Sequence, residues 1–262
     1  MQLIPSPFAL KLKVIVFNPE KTSRRLTSWL NPRLRMEVLE ARDVPSTFYV
    51  DDNFASPIPG TDPDGAGPAV NFGTDSFSSI QSAMNAASNG DTVNVAAGTY
   101  PENVTLGKSL TLLGAMQGVD ARGRVVGAPN PTVESVIMTA SGDLISLTAG
   151  VAGSTIDGFA LSGGARGIVS TSGPLDGLQV LNNDFRGSTS SEVFLNDSGL
   201  NVTFDRNALD GSAQTGGDLF HLDTTTSTAS TSPTTGCGTA SPAPGSSWTA
   251  TTTSAPAPCG RR

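Results

Sequence analysis

The sequence lacks most of what a helical enzyme uses. Charged residues make up 15% of its 262 positions, aromatics 6%, and there is a single histidine. A helical enzyme carries more Leu, Glu and Lys than this. Small residues with scattered Val, Ile and Leu, together with 29 glycines, point instead to short strands joined by tight turns. Only two cysteines occur, Cys237 and Cys259, both in a Ser/Thr/Pro-rich tail, so neither a disulfide framework nor a zinc site is expected. No apolar run approaches the ~20 residues that span a bilayer, which excludes a transmembrane helix.

Basic charge is also scarce over most of the chain. Residues 1–42 hold eight of the 16 Lys and Arg against three acidic residues, a net +5; the remainder holds eight against 20, a net −12. An acidic body argues against a nucleic-acid partner, because phosphate contacts need a basic face. The length fits one large domain, or a medium domain with tails.

Four segments follow from composition. Residues 1–46 read as an export leader. "FALKLKVIVF" is apolar but interrupted by Lys11 and Lys13, and Leu39-Glu40-Ala41-Arg42 with Pro45-Ser46 resembles the Leu-Glu-x-Arg element that precedes the mature part of many large exported bacterial proteins. The alternative there is a short amphipathic helix. Residues 47–75 combine one strand-like run with Pro, Gly and Asp clusters, a lead-in loop. Within it, Asp62-Pro63-Asp64-Gly65 has the acidic spacing of a calcium loop without the later ligands, so a plain turn is expected. Residues 76–222 carry the structured domain. Residues 223–262 lose all periodicity and are expected to be disordered.

The domain opens on "SFSSIQSAMNAASNGD", where Phe77, Ile80, Met84 and Ala87 recur at helical spacing, Asp75 or Ser76 can cap the start, and Asn89-Gly90 stops it. Short strand-like runs follow from residue 92. In "STIDGFALSGG", "LQVLNNDFRG" and "VTFDRNALDG", four columns recur every 24 residues: Ile156/Val180/Phe204, Phe159/Asn183/Asn207, Leu161/Phe185/Leu209 and Gly163/Gly187/Gly211. A period of about 24 with two or three strands per copy predicts an all-β fold, a single-stranded right-handed parallel β-helix. The amphipathic helix would close its first coil. Asn183 and Asn207 would stack at a turn, bonding each other and the turn backbone.

"FSSIQSAMNAA", "DTVNVAAGTYPENVTL" and "KSLTLLG", in that order and close spacing, resemble the N-terminal coil of pectin methylesterases and of the broader pectin-lyase-like superfamily; "GAMQGVDARGR" resembles bacterial β-helix surface proteins. The resemblance implies the β-helix and gives Tyr100 and Glu102 a part in shaping the first coil. Its esterase chemistry needs two Asp, an Arg and oxyanion-hole Gln side chains, marked by Asp-Phe-Ile-Phe-Gly and Gly-Arg-Pro-Trp elements. Neither element occurs, and Gln179 and Gln214 lie in no comparable context. No catalytic residue is therefore assigned.

A lyase would need an acidic cluster for Ca²⁺ and a basic proton acceptor. The outward candidates are Asp157, Asp184, Arg186, Asp205, Arg206 and Asp210. At the 24-residue offset Arg186 falls on Asp210, Asp205 on Leu181 and Asp184 on Ala208, so no acidic cluster emerges and charge-paired coil surface is expected. Asp184, Arg186, Asp205 and Arg206 remain the candidates for substrate contact. No metal and no cofactor is assigned, and His221 has no carboxylate partner in view. The expectation is an exported, monomeric, non-catalytic β-helix protein of the cell surface or envelope with polysaccharide as partner. The alternatives are a carbohydrate esterase or lyase of the pectinesterase or pectate-lyase type, or a truncated piece of a longer solenoid. With no polar cap after residue 222, the coil around Leu219, Phe220 and Leu222 is expected to be a weak edge.

Overall fold

The structure is a computed structural model that describes residues 44–250, apart from 55–57, 125–127, 171, 197–198, 223–225, 236–240 and 243–246. The leader up to residue 43, Cys237 and Cys259 lie outside the described residues.

In chain order the elements are β1 (Thr47–Val50), β2 (Ser76–Phe77), α1 (Ile80–Ala86), β3 (Thr92–Val95), β4 (Gly98–Tyr100), β5 (Val104–Leu106), β6 (Thr111–Leu113), β7 (Ser135–Thr139), β8 (Asp143–Leu147) and β9 (Thr155–Asp157). Then come β10 (Phe159–Gly163), β11 (Arg166–Ser170), β12 (Gln179–Leu181), β13 (Asp184–Arg186), β14 (Ser191–Leu195), β15 (Leu200–Asp210), β16 (Phe220–Leu222), β17 (Thr226–Thr235), β18 (Ser241–Pro242) and β19 (Ser247–Ala250). The protein is all-β, with one α-helix among the described residues and parallel strand pairing throughout.

Three stacks of strands are visited in rotation. The first holds β1, β3, β6, β9, β12 and the front of β15; the second holds β4, β7, β10, β13 and the back of β15; the third holds β5, β8, β11, β14, β16 and β18. Because β15 runs through the corner, the first two stacks form one sheet. This rotation is compatible with a parallel β-helix.

The register matches the 24-residue columns. Val180 pairs with Ile156 and Phe204, and Phe185 pairs with Leu161 and Leu209. All six are fully or almost fully buried. Alternation explains this: on a strand every second side chain points inward, so an in-register apolar column becomes a continuous inner row. Phe204 anchors the row, stacking on Phe185 at 5.9 Å and meeting Phe220 edge-on at 5.0 Å. Each such side chain stabilises by about 1.5–3 kcal/mol through burial.

The corner between the first two stacks carries the expected asparagine ladder. Asn183 and Asn207 are fully buried. Asn183 Nδ2 donates to Ile156 O (2.9 Å), Asn207 Nδ2 donates to Val180 O (2.8 Å), and Asn207 Oδ1 accepts from Asn183 N (2.8 Å). The amides thereby take up backbone groups that the turn leaves without strand partners.

Helix α1 is shorter than its apolar pattern suggests. Ser76–Phe77 pairs with β1, so the cap is Ser79, whose hydroxyl accepts from Ser82 N, rather than Asp75 or Ser76. Ile80, Ala83 and Met84 are buried, and the helix packs against β1, β2, β3 and β5. Glu102 and Lys108, flanking β5, clamp it at both ends. The Glu102 carboxylate accepts from Ile80 N (2.8 Å) and Gln81 N (3.0 Å), while Lys108 Nζ donates to Met84 O, Asn85 O and Ala87 O (3.0, 2.9 and 2.6 Å). Each charge meets the end of the helix dipole that favours it. Tyr100 is buried, donates to Ala96 O (3.0 Å), and its hydroxyl pKa is pushed up, chiefly by burial.

The Ser/Thr/Pro-rich segment beyond residue 222, expected to lack regular structure, contributes the backbone strands β17, β18 and β19. The exposed edge of β15 offers a row of N–H and C=O groups, and Ser and Thr accept strand geometry. The pairing is irregular, with register shifts at three points, one of them beyond Pro233.

Candidate functional site

The four candidate substrate contacts meet at the Asn-ladder corner, and a segment outside the repeat roofs it. Successive partners on the first stack are Thr111 and Thr155, 44 residues apart, against 24 from Thr155 to Gln179. The excess is residues 114–134, between β6 and β7.

The turn backbone prepares the corner. Gly158, Asn182 and Arg206 sit 24 residues apart with φ of 82°, 53° and 54°. The left-handed region is costly for Arg206 and easier for Asn. Gly158 has a further reason, since a Cβ there would lie 2.1 Å from Gln117 N. The roof therefore lies against bare backbone: Gly114 N donates to Asp157 O (2.8 Å), Met116 N to Gly158 O (3.2 Å) and Gly118 N to Asp157 Oδ1 (3.1 Å).

Beyond that contact the roof turns through Ala121–Gly123, capped by Asp120, whose carboxylate also pairs with Arg122 at 2.6 Å. That bond holds the Asp120 carboxyl below its usual range, with Arg206 adding a smaller pull. The next cation, Arg124, is driven into the corner with its side chain only 5% exposed. Its Nη2 donates to Asn182 O, and its Nη1 lies 3.8 Å from Glu134 Oε1. Glu134 is itself buried, and its Oε2 accepts from Asn130 N (2.7 Å). Burial pulls the Arg124 pKa down, opposed by Glu134, Asp184 and Asp157. Nε and Nη1 of Arg124 and Oδ1 of Asn182 are buried without hydrogen-bond partners among the described residues.

Asp184 is ion-paired with Arg186 and is 1% exposed. Burial raises its carboxyl pKa, opposed by Arg186 and then Arg124. Asp205 and Arg206 pair at 3.0 Å near the surface. Asp184 stands opposite Ala208, Asp205 opposite Leu181, and Arg186 opposite Asp210, as the repeat offset requires. The register alone missed Asp120, Arg122, Arg124 and Glu134. Their signal was the charged run Asp120-Ala121-Arg122-Gly123-Arg124 in a segment that matched no copy of the repeat.

Chemically, the corner alternates cations and carboxylates under a backbone cover. Asp184, the corner carboxylate whose pKa burial raises, has almost no surface to offer a substrate. A network of this kind positions a loop.

Two other acids or bases stand apart. Glu192 is fully buried and bonded to Ser188 through N (3.1 Å) and Oγ (2.6 Å); burial pushes its pKa up to about 7. His221 does have a carboxylate neighbour, Asp218 at 3.4 Å, which strand alternation did not reveal because the chain bends at Leu219 just before β16. Its ring stacks on Phe194 at 4.6 Å, and the Arg166 guanidinium lies over the same Phe194 ring, 5.6 Å from its centroid. Among the described residues no group of three or more His, Cys, Asp or Glu could hold a metal ion, and no helix is long and apolar enough to cross a membrane. Two surface cavities, of about 500 and 340 Å³, lie among the described residues, one beside α1 and Lys108 and the other between Phe54, Asp64 and Gln117.

Comparison with protein-family models, curated proteins and solved structures finds no match to this chain.

Proposed function

We propose that the protein is a non-catalytic, right-handed parallel β-helix of the pectin-lyase-like type, exported to the cell surface or envelope, that binds polysaccharide. Right-handedness is supported by the general rule that parallel crossover connections take that hand. The observation that carries the non-catalytic reading is the roofed corner: Asp184, Arg186, Asp205 and Arg206 are each ion-paired, and Asp184 is only 1% exposed beside Arg124 of the inserted segment. Polysaccharide suits the extended faces that stacked parallel strands present and a body too acidic for nucleic acid. Export follows the leader-like composition of residues 1–46, and the monomer is the simplest state for a solenoid whose first coil is closed by α1.

The test incubates purified full-length protein with pectin, polygalacturonate, cellulose and chitin, with and without Ca²⁺, and follows retention and product release together. Retention without product is expected. Product release from any of them, abolished by Asp184→Asn or Asp205→Asn, would replace this reading with an esterase or lyase.

A further inference from the structure

We propose that the outward threonine row on the first strand stack is a docking track for an extended, uncharged polysaccharide chain. The inference rests on the polysaccharide-binding reading above and gives it a face and a ligand chemistry. Strand pairing sets Thr47, Thr92, Thr111, Thr155, Gln179 and Thr203 in one register. Their neighbours Phe48, Val93, Leu112, Ile156, Val180 and Phe204 point inward and are buried, so the row faces out. Its side chains are exposed or half-buried. None of the five threonine hydroxyls is engaged in a hydrogen bond among the described residues. The backbone register runs on to Thr228 of β17 and Thr249 of β19.

Strand preference alone does not account for the row. Threonine suits an outward strand position, yet the second outward column, Tyr49, Asn94, Leu113, Asp157, Leu181 and Asp205, contains none. Copying of a repeat does not account for it either. Thr92 and Thr111 are 19 residues apart and Thr111 and Thr155 are 44 apart, but threonine returns to the same rung across both intervals.

The six rungs stand ~4.8 Å apart, a track of about 24 Å. A flat-ribbon β-1,4-linked chain advances one sugar over about the same distance, so successive rungs meet successive sugars. Each hydroxyl can donate and accept, as a sugar hydroxyl requires. The row carries no charge within a body of net −12, which disfavours acidic polymers and leaves neutral ones. A lattice ligand such as ice would need a second matching column. The neighbouring column is mixed, and Asp157 within it is bonded to the roof at Gly118 N.

The experiment measures retention of full-length protein on microcrystalline cellulose, chitin and polygalacturonate, and ice shaping beside it, for wild type, for Phe194→Ala and for a variant combining Thr92→Val, Thr111→Val, Thr155→Val and Thr203→Val. Valine keeps shape and strand preference while removing the hydroxyls, and a thermal melt checks the fold. Saturable wild-type binding that weakens at least tenfold in the variant, with an unchanged melt, is expected. Undiminished binding in the variant, or retention lost only in Phe194→Ala, overturns the row and leaves polysaccharide binding standing. So does binding confined to polygalacturonate. No binding to any polysaccharide overturns both, and ice shaping that depends on the four threonines overturns the ligand assignment.

Discussion

The repeated coils between residues 154 and 211 and the inserted roof between 114 and 134 are held by different physics. In the coils, apolar columns and the Asn183–Asn207 ladder recur every 24 residues, and the inner row is almost wholly buried. The roof has no period. It is fixed by backbone contacts at Gly158 and by the buried Arg124–Glu134 pair. The period builds the shape, and the interruption brings the charges together.

Substitutions can separate the two regions. Phe204→Ala removes the ring that touches both Phe185 and Phe220 and should cost about 4 kcal/mol, read as a global loss in denaturant unfolding. Arg124→Ala leaves the Glu134 carboxylate buried and uncompensated. It should cost the roof about 3 kcal/mol, with most of the loss returned by the double variant Arg124→Leu, Glu134→Leu. Hydrogen exchange should show the opening within 114–134 while coil amides stay protected; equal deprotection of both would mean that roof and coils are one unit.

Glu192 tests the coils from inside by pH. Its folded-state pKa of about 7 lies above the ordinary 4.5, so the folded protein holds a proton that the unfolded chain releases between those values. Its stabilising effect is full below about pH 4.5, falls as pH rises through 7, and is then constant. The span is about 3 kcal/mol. Asp210 and Asp184 add to the shift beyond burial. Glu192→Gln should flatten that decline in melts taken from pH 4 to 8. The smallest effect belongs to the clamp on α1: Glu102→Ala should cost about 1 kcal/mol and speed exchange at the Ile80 and Gln81 amides.

The sequence made the coils readable because their columns depend on strand alternation and in-register stacking, both local and repetitive. The stacking of Ile156, Val180 and Phe204 and the Asn183–Asn207 bonding follow from spacing alone. Of the candidate site, the positions of Asp184, Arg186, Asp205 and Arg206 on the coils were legible, but their cover was not. Arg124 and Glu134 reach the corner through a segment with no copy elsewhere, and only three-dimensional closure puts them beside Asp184. The start of α1 was misplaced for a related reason: Ser76–Phe77 has helical spacing but finds a strand partner in β1.

The most direct test of the account compares wild type with Asp184→Asn for thermal stability and polysaccharide turnover in the same preparation. If the corner charges hold the fold, neither protein releases product, and the variant melts lower by about 4–8 °C, the equivalent of ~2 kcal/mol. Wild-type turnover that disappears in Asp184→Asn at an unchanged melting temperature would contradict it.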